Sequence, residues 1–427
     1  MKLEKVFGVA TKVNEASYID RAMLDGKITR LLEKDRHIAL KGASKTGKSW
    51  LRQKCMGDVN VVQCRLGKKV QDIYVEVLGN LGVKLALETA ETNNIKGTIE
   101  ASGEMGASLL YKVAVKLGIA AEISDSTKYR DLKCDLNNLK FIADLIIDSG
   151  KRLVVEDFHY LSVENRKQFA YDLKTLWDYG CYVIIIGVWT QSNLLTYLNP
   201  DLTGRIEEVS ILWSDEDLKK VIEKGCDNLK ITMSESIKDN LIKDSFGNVG
   251  ILQTLAYNLC EEEVVYETKS IKICISNTES FKKAAQRYAD QLDGVYQRYI
   301  QILSEGIYSR GDSTGIYAYT MKAIVEADDL LLMNGFSRDA IFSITNSWEH
   351  RIQLGNLQKI LIKLEDLQCD SENKGLVISY DQSTDSVFVV DRQLLFYRKH
   401  HTMKWPWEAI LEELHNKNKI KNAKLKQ

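Results

Sequence analysis

The sequence predicts an α/β fold built on a parallel sheet and followed by a largely helical C-terminal half. Three observations carry this. Up to Trp213, short apolar runs alternate with amphipathic helical patterns, as strands joined by helical crossovers do. A glycine-bearing turn lies between the first of those runs and the next helical pattern. Beyond Trp213 the alternation stops, and helical spacing prevails until two β-like runs between residues 375 and 390.

At 427 residues the chain has room for about two to four domains. Lys+Arg 58 against Asp+Glu 59 leaves a net charge of −1, so no global field favours nucleic acid or membrane, although a local basic patch is compatible with it. The eight cysteines are scattered without a C-x-x-C pair. Several, such as Cys181 and Cys274, sit in apolar runs and read as reduced core residues rather than bridges or metal ligands. Neither an apolar signal region at Met1-Lys2-Leu3-Glu4-Lys5 nor an 18-residue apolar span occurs. The expectation is a soluble, cytoplasmic protein with no membrane partner. Two prolines, Pro200 and Pro406, argue against proline-rich linkers.

Residues 1–36 precede the first core strand, and within them Leu24, Ile28, Leu31 and Leu32 mark an amphipathic helix. His37-Ile38-Ala39-Leu40 reads as a buried strand. It runs into Gly42-Ala43-Ser44-Lys45-Thr46-Gly47-Lys48-Ser49, a complete G-x-x-x-x-G-K-[ST] phosphate loop, and then into the helical Trp50-Leu51-Arg52-Gln53-Lys54. Strand, loop and helix in that order are the context the motif needs, and they point to a core that binds a nucleoside triphosphate with Mg²⁺. Gly42 and Gly47 let the backbone wrap a phosphate with its N–H groups inward, while the helix N-terminus adds partial positive charge. Residues 42–49 and Trp50 are the candidate nucleotide contacts. Lys48 would reach the β- and γ-phosphates, and the Ser49 hydroxyl would take a Mg²⁺ position. Tyr18 or Ile19 either folds over the adenine or belongs to a segment packed on the sheet edge; the sequence leaves both open.

Asn60-Val61-Val62-Gln63-Cys64 is a second strand, followed by a helix from Gln71 to Leu81 with Ile73, Val77 and Leu81 on one face. Glycines interleave with small residues through 93–127, ahead of Leu109–Val115 and Ile119–Ile123. This stretch reads as an inserted hairpin serving a partner or oligomer contact; with no G-K-[ST] after them, its glycines are not a second phosphate site. A helix from Leu132 to Ser149 ends at Gly150. Next, Arg152-Leu153-Val154-Val155-Glu156-Asp157 is an apolar strand ending in two acids, the pattern of a Walker B element. One acid holds Mg²⁺ through water and the other polarises the attacking water. Glu156 fits the metal position and Asp157 the catalytic one, with the swapped roles open. His159 helps to order this loop or is purely structural. After a helix bearing Phe169, Leu173, Leu176 and Trp177, the run Cys181–Val188 is another buried strand. Its polar end puts Thr190 and Gln191 in place to sense a γ-phosphate. Arg205, after the Asn199–Gly204 turn, reaches a nucleotide (its own or a neighbour's) or forms a surface salt bridge.

Ser214-Asp215-Glu216-Asp217 opens a helix with a serine cap and an acidic first turn, and helical patterns continue to about residue 293 as a lid, 214–293, behind the core, 1–213. Residues 294–400 carry helices around Tyr296–Leu303, Thr320–Leu332 and Leu354–Glu365. A hairpin of Gly375–Tyr380 and Ser386–Val390 about the turn Asp381–Asp385 then suggests a winged-helix-like domain. Winged helices bind DNA in many proteins and partner proteins in others; the lack of a Lys/Arg run on this hairpin weakens the DNA case. The tail, 401–427, is basic, with Lys417, Lys419, Lys421, Lys424 and Lys426; it either touches nucleic-acid phosphates nonspecifically or, the reading preferred, is a solvated, disordered end.

Taken together, these features resemble the AAA+/STAND class of P-loop ATPases, on the side of its origin-recognition branch. The resemblance spans roughly residues 15–400; it is specific at Gly42–Ser49, fair at Leu153–Asp157 and loose elsewhere. It implies that Thr190 stands at the sensor-1 position and Arg205 at the arginine-finger position. It also implies a homo-oligomer, and antiphage defence as the biological setting. Two departures are visible. The lid glycines Gly247 and Gly250 are followed by Ile251 and Leu252 where the family usually brings an arginine, and the Walker B acids run Glu-Asp rather than Asp-Glu. Both depart from efficient, oligomer-coupled hydrolysis and are compatible with the slow turnover of a molecular switch. The first functional reading is thus an ATP-driven switch that acts on assembly or on a partner protein, in the absence of a recognisable effector domain. An ATP-dependent DNA loader is the second, and a small-molecule kinase, lacking an acceptor-pocket signature, the third.

Overall fold

A computed structural model describes residues 1–88, 96–101, 103–116, 138–306, 314–368 and 375–424. The readings on Cys134, Cys369, Ile119–Ile123, the start of the helix at Leu132 and the last three residues lie outside these. The described chain falls into two units.

The first unit, Asp20–Gly42 with Lys48–Ile211, is the α/β core. In chain order it holds α1 (Ala22–Leu32), β1 (His37–Lys41), α2 (Lys48–Cys55), β2 (Val59–Gln63), α3 (Val70–Asn80), β3 (Val83–Glu88) and β4 (Lys96–Ala101). Then follow α4 (Gly103–Lys116), α5 (Leu139–Asp148), β5 (Arg152–Glu156), α6 (Val163–Asp178), β6 (Val183–Gly187), α7 (Leu194–Leu198) and β7 (Ile206–Ser210). Five strands form one parallel sheet in the order β2-β5-β6-β1-β7. Alternation along each strand builds two apolar layers. Ile38, Leu40, Val154, Ile184 and Ile186 pack with Ile28, Leu31 and Leu51 of α1 and α2. Ala39, Leu153, Val155, Val183 and Ile185 pack with the helices from α3 to α6. Burial on both faces is why these strands read as unbroken apolar runs.

His37 joins three elements of this core. Its Nε2–H donates to the Leu173 carbonyl of α6 at 2.8 Å, and its Nδ1 accepts from the Val183 N–H of β6 at 2.9 Å. Both ring nitrogens are thereby used by a neutral imidazole with no exposed surface. Burial, with the Arg152 charge adding to it, pushes the His37 pKa down to about 4.

The stretch read as an inserted hairpin is half hairpin, half helix. β3 and β4 pair antiparallel, Val83 opposite Ala101, but Leu109, Leu110, Val113 and Ala114 belong to α4 and are buried in the core. Their spacing of one, three and four is helical, and small residues on either side obscured it. Gly106 lies so close to the Gly82 carbonyl that a side-chain carbon there would overlap it. Gly106→Ala is expected to destabilise the core by about 1–3 kcal/mol, read as a lower midpoint of urea unfolding.

The second unit comprises Met1–Ile19, Ala43–Gly47 and Leu212–Gln427. Its elements are α8 (Asp215–Leu229), β8 (Ile231–Met233), α9 (Glu235–Asp244), α10 (Val249–Glu262), β9 (Ile273–Ile275), α11 (Thr278–Glu305), α12 (Ile316–Val325) and α13 (Asp329–Asn334). The rest are β10 (Phe336–Ser337), α14 (Arg338–Trp348), α15 (Leu354–Gln368), β11 (Ile378–Asp381), β12 (Ser386–Val389), α16 (Gln393–His400) and α17 (Pro406–Lys424). Ser214 caps α8 through the Asp217 N–H at 3.1 Å, as the sequence indicates. β11 and β12 form the expected hairpin, joined by β10 into a three-stranded antiparallel sheet.

Four expectations are corrected here. The boundary read between 293 and 294 falls inside α11, a continuous 28-residue helix; Gly294 has open space around it and does not break the helix. Residues 1–19 do not belong to the core read as 1–213: α1 packs on the sheet through Ile28 and Leu31, but Leu3, Val6 and Phe7 are buried in the helical core of the second unit. The tail is helical as far as Lys424. Cys274 is exposed, because β9 alternates and turns this residue outward.

Candidate functional site

β1 ends at Lys41, and the phosphate loop leaves the sheet at the edge where the parallel strands end. That edge is where open α/β sheets bind ligands. Lys45 at φ +60° and Gly47 at φ +83° place left-handed residues inside the loop, the conformation that gathers successive N–H groups into an anion-binding concavity. For lysine this region is strained, and such strain persists only where the surroundings over-determine it. Thr46 is buried and its hydroxyl donates to the Ala43 carbonyl at 2.9 Å. α2 begins at Lys48, so its first turn, with Ser49 and Trp50, continues directly from the loop and turns the positive end of the helix dipole toward it. The Lys48 ammonium donates to the Gly42 carbonyl at 3.0 Å, folded across the mouth of its own loop.

The two acids end β5 in different surroundings. Glu156 is buried, and its Oε1 accepts from Arg52 Nε of α2 at 2.8 Å. Asp157 is left-handed, at φ +55°, and its Oδ2 accepts from Gln63 Nε2 at the end of β2 at 2.8 Å. Each carboxylate therefore has one oxygen taken by a neighbour that the motif did not name. Sequence reasoning missed Arg52 and Gln63. Arg52 could have been found, since it lies one helical turn beyond Ser49.

His159 sits between these parts. Its Nδ1 accepts from the Val188 N–H just past β6 at 3.3 Å, which leaves the proton on Nε2. Burial depresses its pKa to about 4; the Asp157 charge opposes the shift, and the Lys48 and Arg166 charges add to it. A neutral imidazole thus sits within electrostatic reach of both the loop lysine and the second acid, and links the end of β5 to the end of β6.

Thr190 and Gln191 follow β6 on the same edge as the loop, because Lys41 pairs with Gly187 across β1 and β6. Their loop is pinned from β1 and β7. Glu208 accepts from Lys41 Nζ at 2.9 Å, from Trp189 Nε1 at 3.1 Å and from the Asn193 N–H at 3.0 Å, and Lys41 Nζ also donates to the Gln191 carbonyl at 3.3 Å.

Arg205 lies elsewhere. His37 pairs with Ile206, so Arg205 stands where the strands begin, a five-residue strand, or roughly 16 Å, from the phosphate loop. Its guanidinium lies 4.8 Å over the Trp177 ring and donates to the Asp201 carbonyl. The reading in which Arg205 serves its own nucleotide is ruled out by this register, and the reading as a salt bridge gives way to a cation–π contact. Tyr18 belongs to the second unit, where its carbonyl accepts from Lys224 Nζ at 2.7 Å and Ile19 packs on the helical core.

Mg²⁺ in such a site is held by hard oxygen donors, mostly the nucleotide's own, with few protein ligands. Ser49, Glu156 and Asp157 fit that chemistry, each carboxylate keeping one oxygen apart from its Arg52 or Gln63 contact. No cluster of three or more His, Cys, Asp or Glu suited to an all-protein metal cage occurs among the described residues.

No family model matches the chain, and no curated protein does. Among solved structures it is similar to the Walker-type ATPase PABY2304 of Pyrococcus abyssi, at 14% identity and TM-score 0.52, over 92% of this chain and 99% of that one. Two further similarities are weaker. The Orc1 protein of Aeropyrum pernix, solved in complex with DNA, matches at 9% identity and TM-score 0.38, over 92% and 95% of the two chains. A STAND protein of Pyrococcus horikoshii with a tetratricopeptide repeat sensor matches at 12% identity and TM-score 0.37, over 93% of this chain and 44% of that one. The fold assignment rests on the first of these together with the parallel sheet and the loop at its edge. This chain has the fold of a Walker-type P-loop ATPase.

Proposed function

We propose that the protein binds ATP with Mg²⁺ at Gly42–Ser49 and hydrolyses it slowly, as a molecular switch that couples nucleotide state to self-assembly or to a partner protein. The observation that carries this reading is the phosphate loop itself: two left-handed residues within it, and a helix starting at its lysine on the ligand-binding edge of a parallel sheet. Bound Mg²⁺ would supply charge neutralisation at the phosphates. Lys48 adds a fixed cation, released from the Gly42 carbonyl when phosphate takes its place. Asp157 orients water, and Gln63 fixes one of its oxygens; Glu156, held by Arg52 through Oε1, takes the metal position. A cytoplasmic role in antiphage defence belongs to this proposal on the resemblance alone. Among the described residues, no helix is long and apolar enough to cross a membrane.

The assembling switch is favoured over the DNA loader by the hairpin turn Asp381–Asp385, which carries two acids and no Lys or Arg of its own, while the nearby Arg338 is already paired with Asp385 at 3.3 Å. The test is phosphate release by the purified protein across a range of concentrations, with and without duplex DNA. Turnover per chain that rises with concentration and ignores DNA is the expected result. DNA-stimulated turnover with a steep salt dependence would replace the switch with the loader. Arg205→Ala should leave ATP affinity unchanged while removing the concentration-dependent part of turnover, about 10³-fold or more where a neighbour's arginine acts. Equal turnover in Arg205→Ala at all concentrations would remove Arg205 from the mechanism.

A further inference from the structure

A phosphate loop turns its N–H groups toward the ligand only if its carbonyls turn away, and a carbonyl turned into protein needs a donor of its own. Here three consecutive carbonyls each have one, and all three donors come from the second unit, to which Ala43–Gly47 belongs. Asn248 Nδ2 donates to the Ser44 carbonyl at 2.8 Å. The Gly250 N–H, in the first turn of α10, donates to the Lys45 carbonyl at 3.1 Å. Trp213 Nε1 donates to the Thr46 carbonyl at 2.9 Å. The Lys45 side chain is held too: its ammonium donates to Gln393 Oε1 of α16 at 2.6 Å, and the same oxygen accepts from the Tyr288 hydroxyl at 2.7 Å.

The close approach is built in. A side-chain carbon on Gly250 would stand 2.8 Å from the Lys45 carbonyl oxygen, so only glycine lets α10 reach the loop. Asn248 does two jobs at once, since its Oδ1 caps α10 through the Gly250 N–H at 2.9 Å while its Nδ2 holds Ser44. Asn248 is fully buried. Arg392, just before α16, donates to the Phe246 carbonyl at 2.6 Å and to the Gly247 carbonyl at 3.3 Å, which fixes the turn that presents Asn248. The strained left-handed Lys45 is thereby clamped at its carbonyl and its side chain.

From this we infer that Trp213, Asn248 and Gln393 are positioning residues for nucleotide binding: they grip the outer face of the phosphate loop and hold its N–H groups ready for phosphate. The inference rests on the ATP reading above. It makes ATP affinity depend on side chains that touch no part of the nucleotide, and it ties loop shape to α10 and α16. Without these donors the loop would have to find its receiving shape at the moment of binding, which weakens affinity rather than the chemical step.

The test uses the full chain and two neutral variants. Asn248→Ser keeps a competent cap for α10 and loses the reach to Ser44; Trp213→Phe keeps an aromatic ring and loses the indole N–H. Each should weaken MgATP binding, and raise KM, about tenfold, with kcat and the far-ultraviolet circular dichroism of the nucleotide-free protein unchanged. Trp213 also lies beside Gly47, so the nucleotide-induced change in tryptophan fluorescence should shrink in Trp213→Phe, with Trp50 left to report. Wild-type affinity in both variants overturns the inference, and so does an affinity loss that comes with a changed circular dichroism spectrum of the nucleotide-free protein, which would make it a loss of fold. If wild-type protein takes up no MgATP, or Lys48→Ala takes it up equally well, the ATP reading fails and the inference falls with it.

Discussion

Lys48→Ala is expected to lower ATP turnover by about 10²–10³-fold, the usual cost of removing one fixed charge or donor from a developing anionic centre. The fold should survive. Lys48 is the first residue of α2, alanine is the best helix former, and the hydrogen bond to the Gly42 carbonyl that is given up lies at the loop's own mouth, outside the apolar core. Phosphate release with an unchanged far-ultraviolet circular dichroism spectrum is the measurement. Asp157→Asn provides the contrast. It keeps the size of the side chain and an oxygen for Gln63, so ATP binding should persist while turnover falls. Loss of binding in both variants would shift Asp157 from orienting water to holding the metal, the assignment that the sequence left open.

Acid should loosen the α/β core well before its carboxylates titrate. His37 carries a pKa of about 4 in the fold against about 6.5 in the unfolded chain. The unfolded state thus takes up a proton first as pH falls. The stability that neutral His37 contributes is complete above pH 6.5 and is lost as pH drops toward 4. At pH 4.5 the loss is about 2–3 kcal/mol. Urea unfolding at pH 7.0, 5.5 and 4.5 measures it, and His37→Asn, which has nothing to protonate in this window, should remove about half of the slope, the rest belonging to His159, which burial also holds near 4. An unchanged slope in that variant would locate the acid sensitivity elsewhere.

The sheet was legible because its strands are buried on both faces, and each therefore reads as an uninterrupted apolar run: Ile38–Leu40, Leu153–Val155, Val183–Ile186. The phosphate loop was legible because its chemistry is local, with eight consecutive residues setting both the turn and the ligands. What lay hidden was long-range. Trp213, Asn248 and Gln393 stand 167, 204 and 348 residues away from their loop partners, and no periodicity encodes such pairs. Asn248 did carry a signal, as a capping residue ahead of the apolar Ile251–Ala256 stretch, but that signal speaks of a helix start and not of a donor to Ser44. Arg205 shows the opposite failing. Its place in the sequence suited several roles, and only the pairing of His37 with Ile206 puts it at the far edge of the sheet. α4 went unrecognised because glycines and small residues around Leu109–Val115 imitate a loop, and α11 was divided at Gly294 because glycine usually ends helices.

Calorimetric titration of the full chain with ATP and Mg²⁺, beside Lys48→Ala, tests the central claim most directly. Saturable binding at a single site per chain, lost in Lys48→Ala, is the predicted result. Absence of binding in the wild-type protein, or equal binding in the variant, would contradict it and leave Gly42–Ser49 a turn with the shape of a phosphate loop but not its ligand.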